Sequence, residues 1–376
     1  MKINTLNDIY DRKNNSFDDI RFVLASLVLF GHSYALLYGE GGQKDFITLM
    51  FNYQLGSGSF AVYMFFILSG FFMIQSLEAN PSIINYSKSR ILRIIPAFWL
   101  SLGLFSFIII PIIFNSVNIF DFKDGSSLYF FIKSATFHLF GYSWIIDGAF
   151  SNNIIAGGIN GSMWTLKHEI ALYFILPIIV WFTYNKRNLL LMFFLFFLVL
   201  ALLNITSEIK LFNIPCCKAW ILGSNEYSSF VVFSAYFFSG VVIYKYKDLI
   251  LISKRYIIAC IVLIVLGILY AKLKIILLLT LPYLIIVFGS IFTKRLFSKT
   301  GDYSYGMYIY AFPIQQVLIH FFKNELNAEI LFISSFIVTL IFSIISWHFF
   351  EKKILRWKNN VKKENIIIKE RKYEHI

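Results

Sequence analysis

The chain has 376 residues, of which 58% are hydrophobic and 43 are Phe, and it carries 34 Lys and Arg against 21 Asp and Glu, a formal net charge of +13. Such a length would hold two or three soluble domains, but a mean hydropathy of +0.69 excludes them and leaves a polytopic membrane protein, with membrane lipid as its surroundings. The basic surplus is therefore read by the side of the membrane it occupies rather than as a nucleic-acid footprint, and no nucleic-acid partner is expected.

The first twenty residues are polar, and the apolar run after them lacks a small-residue cleavage site, so the first span is expected to be retained rather than removed as a signal peptide. That span, Arg21 to Gly39, has a cation at its start and one histidine, His32, in its middle. At about 100° and 1.5 Å per residue, the eleven steps between Arg21 and His32 put both within roughly 20° of one face and about 16 Å apart. An ionisable group inside a span usually faces a bundle interior or a wet path, so His32 reads as functional; the alternative is a histidine bonded to a neighbouring helix. Arg21 alone could be a topology anchor.

Apolar runs of spanning length fall at roughly 22–39, 60–78, 94–114, 169–184, 188–204, 228–246, 256–271, 275–292, 303–321 and 329–349. The expected fold is an all-α bundle of about ten transmembrane helices. With the N-terminus in the cytoplasm, 25 of the 34 basic residues lie on the inner side and 9 on the outer, which favours both termini inside. Residues 1–350 form the membrane domain and 351–376 a basic cytoplasmic tail. The largest outer segment, about 115–168, is too polar to span; its part 128–141 could lie at the interface or re-enter. Pro96, Pro111, Pro177, Pro282 and Pro313 fall in or at the ends of helices, where a kink can open a cavity. Cys216, Cys217 and Cys260 suit neither a zinc site nor a disulfide framework, and no metal is expected.

Five further stretches stand out. Ser69-Gly70, in an apolar run, permits close helix approach. Arg90 and Arg93, three apart and so on one helical face at the cytoplasmic end of the third span, suit a phosphate group, although plain positive-inside anchoring gives the same pattern. In the run Asn160 to Tyr173, Glu169 sits near a helix start with Tyr173 one turn further on the same face; if buried it needs a partner, such as an imidazole or a substrate hydroxyl. In the run Gly301 to Gln316 the tyrosines fit an aromatic belt, but Gln315 and Gln316, deep in a span past Pro313, point toward a polar cavity able to bond a polyol. Trp347, His348 and Lys352 close the last span and read as interfacial anchors.

Together these stretches resemble the acyltransferase 3 family of integral membrane acyltransferases, over nearly the whole chain. The matching pieces are Arg21 with His32, Phe65 to Phe71, Arg90 and Arg93 with Pro96, Ser162-Met163-Trp164-Thr165-Leu166 with Glu169 and Tyr173, Ser304-Tyr305-Gly306-Met307-Tyr308, and Trp347 to Lys352. The resemblance implies a multi-pass protein of the cell inner (plasma) membrane that moves an acyl group, usually acetyl from acetyl-CoA, to a sugar hydroxyl of a cell-surface or exported polysaccharide, lipopolysaccharide or similar glycan. Acetyl-CoA would be a substrate, with no bound cofactor. Carried over, His32 and Glu169 would be catalytic, and Arg21, Arg90 and Arg93 would serve the donor. Trp164, Tyr173, Tyr308 and Gln315 are the candidates for substrate contacts. Many members read Trp-His-Trp-Pro where this chain has Tyr310-Ala311-Phe312-Pro313, so any second histidine role is absent, and His168 stands where the family often has an apolar residue. His32 could act as general base or could carry the acyl group itself. A different class, a glycan-precursor transporter or flippase with His32 as proton relay, and the same enzyme with a succinyl or other donor, are the alternatives.

Overall fold

The computed structural model describes residues 4–39, 41–139, 143–206, 224–293, 296 and 301–356. The chain begins with a two-residue strand, β1 (Asn4–Thr5), and one turn of helix, α1 (Leu6–Ile9), followed by α2 (Phe17–Tyr38), a short α3 (Phe46–Met50), α4 (Ser57–Ala79) and α5 (Ile83–Leu104). A π-helical turn at Phe105–Ile109 continues α5 into α6 (Ile110–Ile113), giving one rod over Ile83–Ile113. After α7 (Ser127–Ala135) come α8 (Met163–Phe182), α9 (Arg187–Thr206), α10 (Ser224–Lys245), strand β2 (Leu251–Ile252), α11 (Lys254–Leu269), α12 (Leu273–Ile291), α13 (Ser304–Phe322) and α14 (Ala328–Ser346), the last extended through a π-helical turn to Arg356. The strands form a single antiparallel pair with Asn4 opposite Ile252.

The protein is an all-α polytopic membrane protein, and each expected apolar run falls on a helix. Among the described residues, eight helices are long and apolar enough to cross a membrane. The other two long helices differ for physical reasons: α11 has 16 residues, and α13 carries Gln315, Gln316, His320 and three tyrosines that lower its hydropathy. The third rod starts earlier than its hydropathy suggests. Ser82 caps it by accepting from the Asn85 amide, so Arg90 and Arg93 lie inside the helix rather than at its edge. The segment 128–141 contributes α7, pinned to α5 where Trp99 Nε1 donates to the Ala135 carbonyl at 3.0 Å.

Helix contacts follow the small-residue rule that replaces hydrophobic selection in an apolar medium. Gly70 of α4 meets the Phe237 backbone and Gly240 of α10 meets the Ile67 backbone, so the two helices touch reciprocally and a Cβ at either position would strike a carbonyl oxygen. The close approach expected at Ser69-Gly70 is thus present. Above it Phe66 stacks on Phe233 and Tyr63 on Tyr236, both with centroids 4.4 Å apart. Three buried hydroxyls are satisfied within their own helix: Ser234, Ser290 and Ser343 each donate to the carbonyl four residues earlier.

The segment before α8 is stapled to α13. Gln316 donates to the Ile155 and Gly158 carbonyls and accepts from Asn153, while Asn160 donates to the Ile309 carbonyl. These bonds set the start of α8 against the middle of α13, and that placement builds the site.

Candidate active site

His32 lines the larger of two neighbouring cavities, of about 740 Å³, together with Ser57, Tyr63, Trp164, Asn204 and Lys274. Its Nδ1 is buried without a hydrogen-bond partner, and Phe312 of α13 meets the ring edge-on at 5.4 Å. The turn of α2 that carries it is held from α13: Gln315 Nε2 donates to the Leu29 carbonyl at 2.9 Å and to Ser33 Oγ at 2.8 Å. On the opposite side Gly31 lets α2 approach Ser57 and Gly58 closely enough that a Cβ would strike Ser57 Oγ. Trp164 is 43% exposed, its ring opening onto the cavity.

The second cavity, of about 150 Å³, lies toward the end of the bundle that carries the N-terminus and holds Arg21, Arg90, Arg93, Glu169, Tyr173 and Asp302. The three arginines are not equivalent. Arg21 pairs with Asp18 at 3.4 Å and lies over the Phe72 ring at 4.6 Å. Arg93 bonds Asp302, stands 3.5 Å from Glu351 and lies over Trp347 at 5.2 Å, so two carboxylates already engage it. Arg90 keeps a buried Nε with no partner. Burial alone would push the Asp302 carboxyl up, but the Arg93 charge, with Arg21 and the Ser304 hydroxyl at 2.6 Å, outweighs it and holds the group below the usual carboxylate range.

Glu169 receives hydrogen bonds on one oxygen, Oε1, from Ser69 at 2.7 Å and from Tyr173 one turn along its own helix. Both donors converge on a single carboxylate oxygen, which fixes the side chain in the pocket. The two cavities share three lining residues, Val62, Thr165 and Tyr308. The hydroxyls of Thr165 and Tyr308 are bonded to each other across this junction, and Thr165 also donates to the Ser162 carbonyl at 3.3 Å.

Residues 14–348 match the family model described as an acyltransferase domain, acyltransferase 3. The chain belongs to the acyltransferase 3 family. The match runs from just before α2 into the π-helical turn after α14, so both cavities lie inside it, and the protein is a membrane acyltransferase. It is also 29% identical over 354 residues to a protein of Shigella phage Sf6 named O-acetyl transferase, covering 91% of this chain and 96% of that one. No solved structure matches.

In this acyltransferase the fold brings Arg21, Arg90, Arg93, Glu169 and Tyr173 into one pocket, His32 and Trp164 into the other, and Tyr308 between them. Gln315 lines neither cavity. It is fully buried and bonded to α2, because a glutamine deep in a span finds protein acceptors before it finds a ligand. His168 is also fully buried, walled by Trp164, Phe230 and Phe233, with both ring nitrogens lacking a partner. Reading the sequence missed Ser69 as a partner of Glu169, and Asp302 and Glu351 as partners of Arg93. No spacing rule links residues 100 or 209 positions apart.

Proposed function

We propose that the protein is an O-acetyltransferase of the cell inner membrane that moves acetyl from acetyl-CoA to a sugar hydroxyl of a cell-surface or exported polysaccharide. The observation that carries this reading is the pair of contiguous cavities with opposite chemistry. One is narrow, holds three arginines, and lies at the end of the bundle that the excess of basic residues assigns to the cytoplasm. The other is roomy, lined by hydroxyl, amide and aromatic groups suited to a polyol, and holds His32. The name of the phage relative supports acetyl as the group transferred.

In this reading CoA enters from the cytoplasmic end. Arg90, with its unpartnered Nε, and Arg21 hold its phosphates through charge-assisted bonds. The thin arm then reaches along the face that joins Arg21 to His32, about 16 Å. His32 acts as general base on the sugar hydroxyl, a role worth about 10²–10⁴ in rate. Glu169, anchored by Ser69 and Tyr173, faces the donor and orients it.

The test compares the intact protein with His32→Ala at matched expression, measuring acetate on the surface polysaccharide and CoA thiol release from membranes. Loss of both in the variant is the expected result. Full acetylation without His32 overturns the role of that residue, and indifference of the intact protein to acetyl-CoA overturns acetyl-CoA as the donor.

A further inference from the structure

We propose that the hydroxyls of Tyr308 and Thr165 are the donors that hold the oxyanion formed during acyl transfer. This rests on the two-cavity reading above. If the donor occupies the arginine pocket and the acceptor the His32 cavity, the reacting carbon must sit where the two are continuous, because attack requires the atoms about 3–3.5 Å apart. The residues common to both linings are Val62, Thr165 and Tyr308, and Val62 has no polar side-chain atom. The other polar candidates stand elsewhere: Trp164 lines only the His32 cavity, Arg90 lines only the arginine pocket, and His168 lines neither.

The two hydroxyls are poised to change partners. Thr165 Oγ1 already has an acceptor in the Ser162 carbonyl, which leaves the Tyr308 proton directed at Thr165 Oγ1. The Tyr308 ring is held edge-on against Phe65 at 6.0 Å, so its oxygen stays at the junction while the proton can turn. Thr165 stands in the first turn of the 20-residue α8, and the positive end of that helix also favours a negative oxygen there.

The sugar hydroxyl gives its proton to His32 and its oxygen bonds the thioester carbonyl carbon. The carbonyl electron pair moves onto oxygen, and that oxygen receives the Tyr308 proton turned from Thr165 Oγ1 and the Thr165 proton turned from the Ser162 carbonyl. Collapse restores the carbonyl, breaks the carbon–sulfur bond and releases the CoA thiolate, which takes the proton from the His32 imidazolium. Ester and free thiol are the products.

The experiment uses the full protein in native membranes that contain its glycan, with Tyr308→Phe, Thr165→Val and Thr165→Ser. Thiol release gives kcat and KM for acetyl-CoA, and binding of S-ethyl-CoA, a thioether without the carbonyl, reports the donor pocket separately. The expected result is a kcat about 10²–10³-fold lower for Tyr308→Phe, a clear fall for Thr165→Val, recovery with Thr165→Ser, and unchanged S-ethyl-CoA affinity throughout. Wild-type kcat in Tyr308→Phe overturns the proposal. So does loss of S-ethyl-CoA binding in step with kcat, which would make the pair a structural partition, or failure of Thr165→Ser to recover. If the intact protein neither binds S-ethyl-CoA nor releases thiol, the acetyl-CoA reading itself fails, and that outcome is visible before any variant is compared.

Discussion

Replacing Arg93 with methionine separates a structural clamp from a donor ligand. The guanidinium stands between Asp302 and Glu351, and the three side chains are 23%, 23% and 4% exposed. Methionine preserves most of the length but leaves two carboxylates facing each other in a largely dry place. Breaking a buried pair from one side costs about 3–5 kcal/mol, and the partial exposure of Asp302 puts the expectation at the lower end, about 3 kcal/mol. That is roughly a hundredfold rise in the unfolded fraction. The assay is thermal unfolding of the purified protein in detergent, followed by loss of the monodisperse peak. Arg93→Met should melt well below the wild type, and Arg93→Met with Glu351→Gln should regain about half of the loss by removing one stranded charge. An unchanged melting temperature together with a raised KM for acetyl-CoA would refute this reasoning and return Arg93 to the phosphate role that its spacing from Arg90 suggests.

Other expectations follow from single contacts. Gly70→Leu should abolish folding or stable insertion, because its side chain would occupy the place of the Phe237 carbonyl; yield in the membrane fraction reads this out. The carboxyl of Asp302 is held below its usual range by Arg93 once burial is outweighed, so its stabilising share is present at neutral pH and is lost as pH falls through that lowered pKa. The difference in melting temperature between wild type and Asp302→Asn should therefore stay constant from pH 7 to 5 and shrink below about pH 4. Gln315→Leu removes two bonds to the His32 turn, about 1–2 kcal/mol, and should lower kcat while S-ethyl-CoA binding holds. Trp164→Ala should raise the acceptor KM about tenfold with little effect on the KM for acetyl-CoA, as expected when one aromatic contact is lost.

What the sequence determined by itself was the set of helices and the faces within each. Runs of Phe, Ile and Leu force spanning helices because an unpaired backbone cannot enter lipid. Fixed helical spacing joins Arg21 to His32 and Glu169 to Tyr173, and the second of these is realised as a hydrogen bond. Gly70 is legible too, since a small residue in an apolar run has few other uses. Which helices meet was decided only by the tertiary structure. In lipid both faces of a helix are apolar, so hydropathy does not say which one turns inward. Thr165 and Tyr308 are 143 positions apart, Arg93 and Asp302 are 209 apart, and no local periodicity couples them. The same physics relocated Gln315: its amide is costly to bury unbonded, and the packing of α13 against α2 supplied the Leu29 carbonyl rather than a ligand.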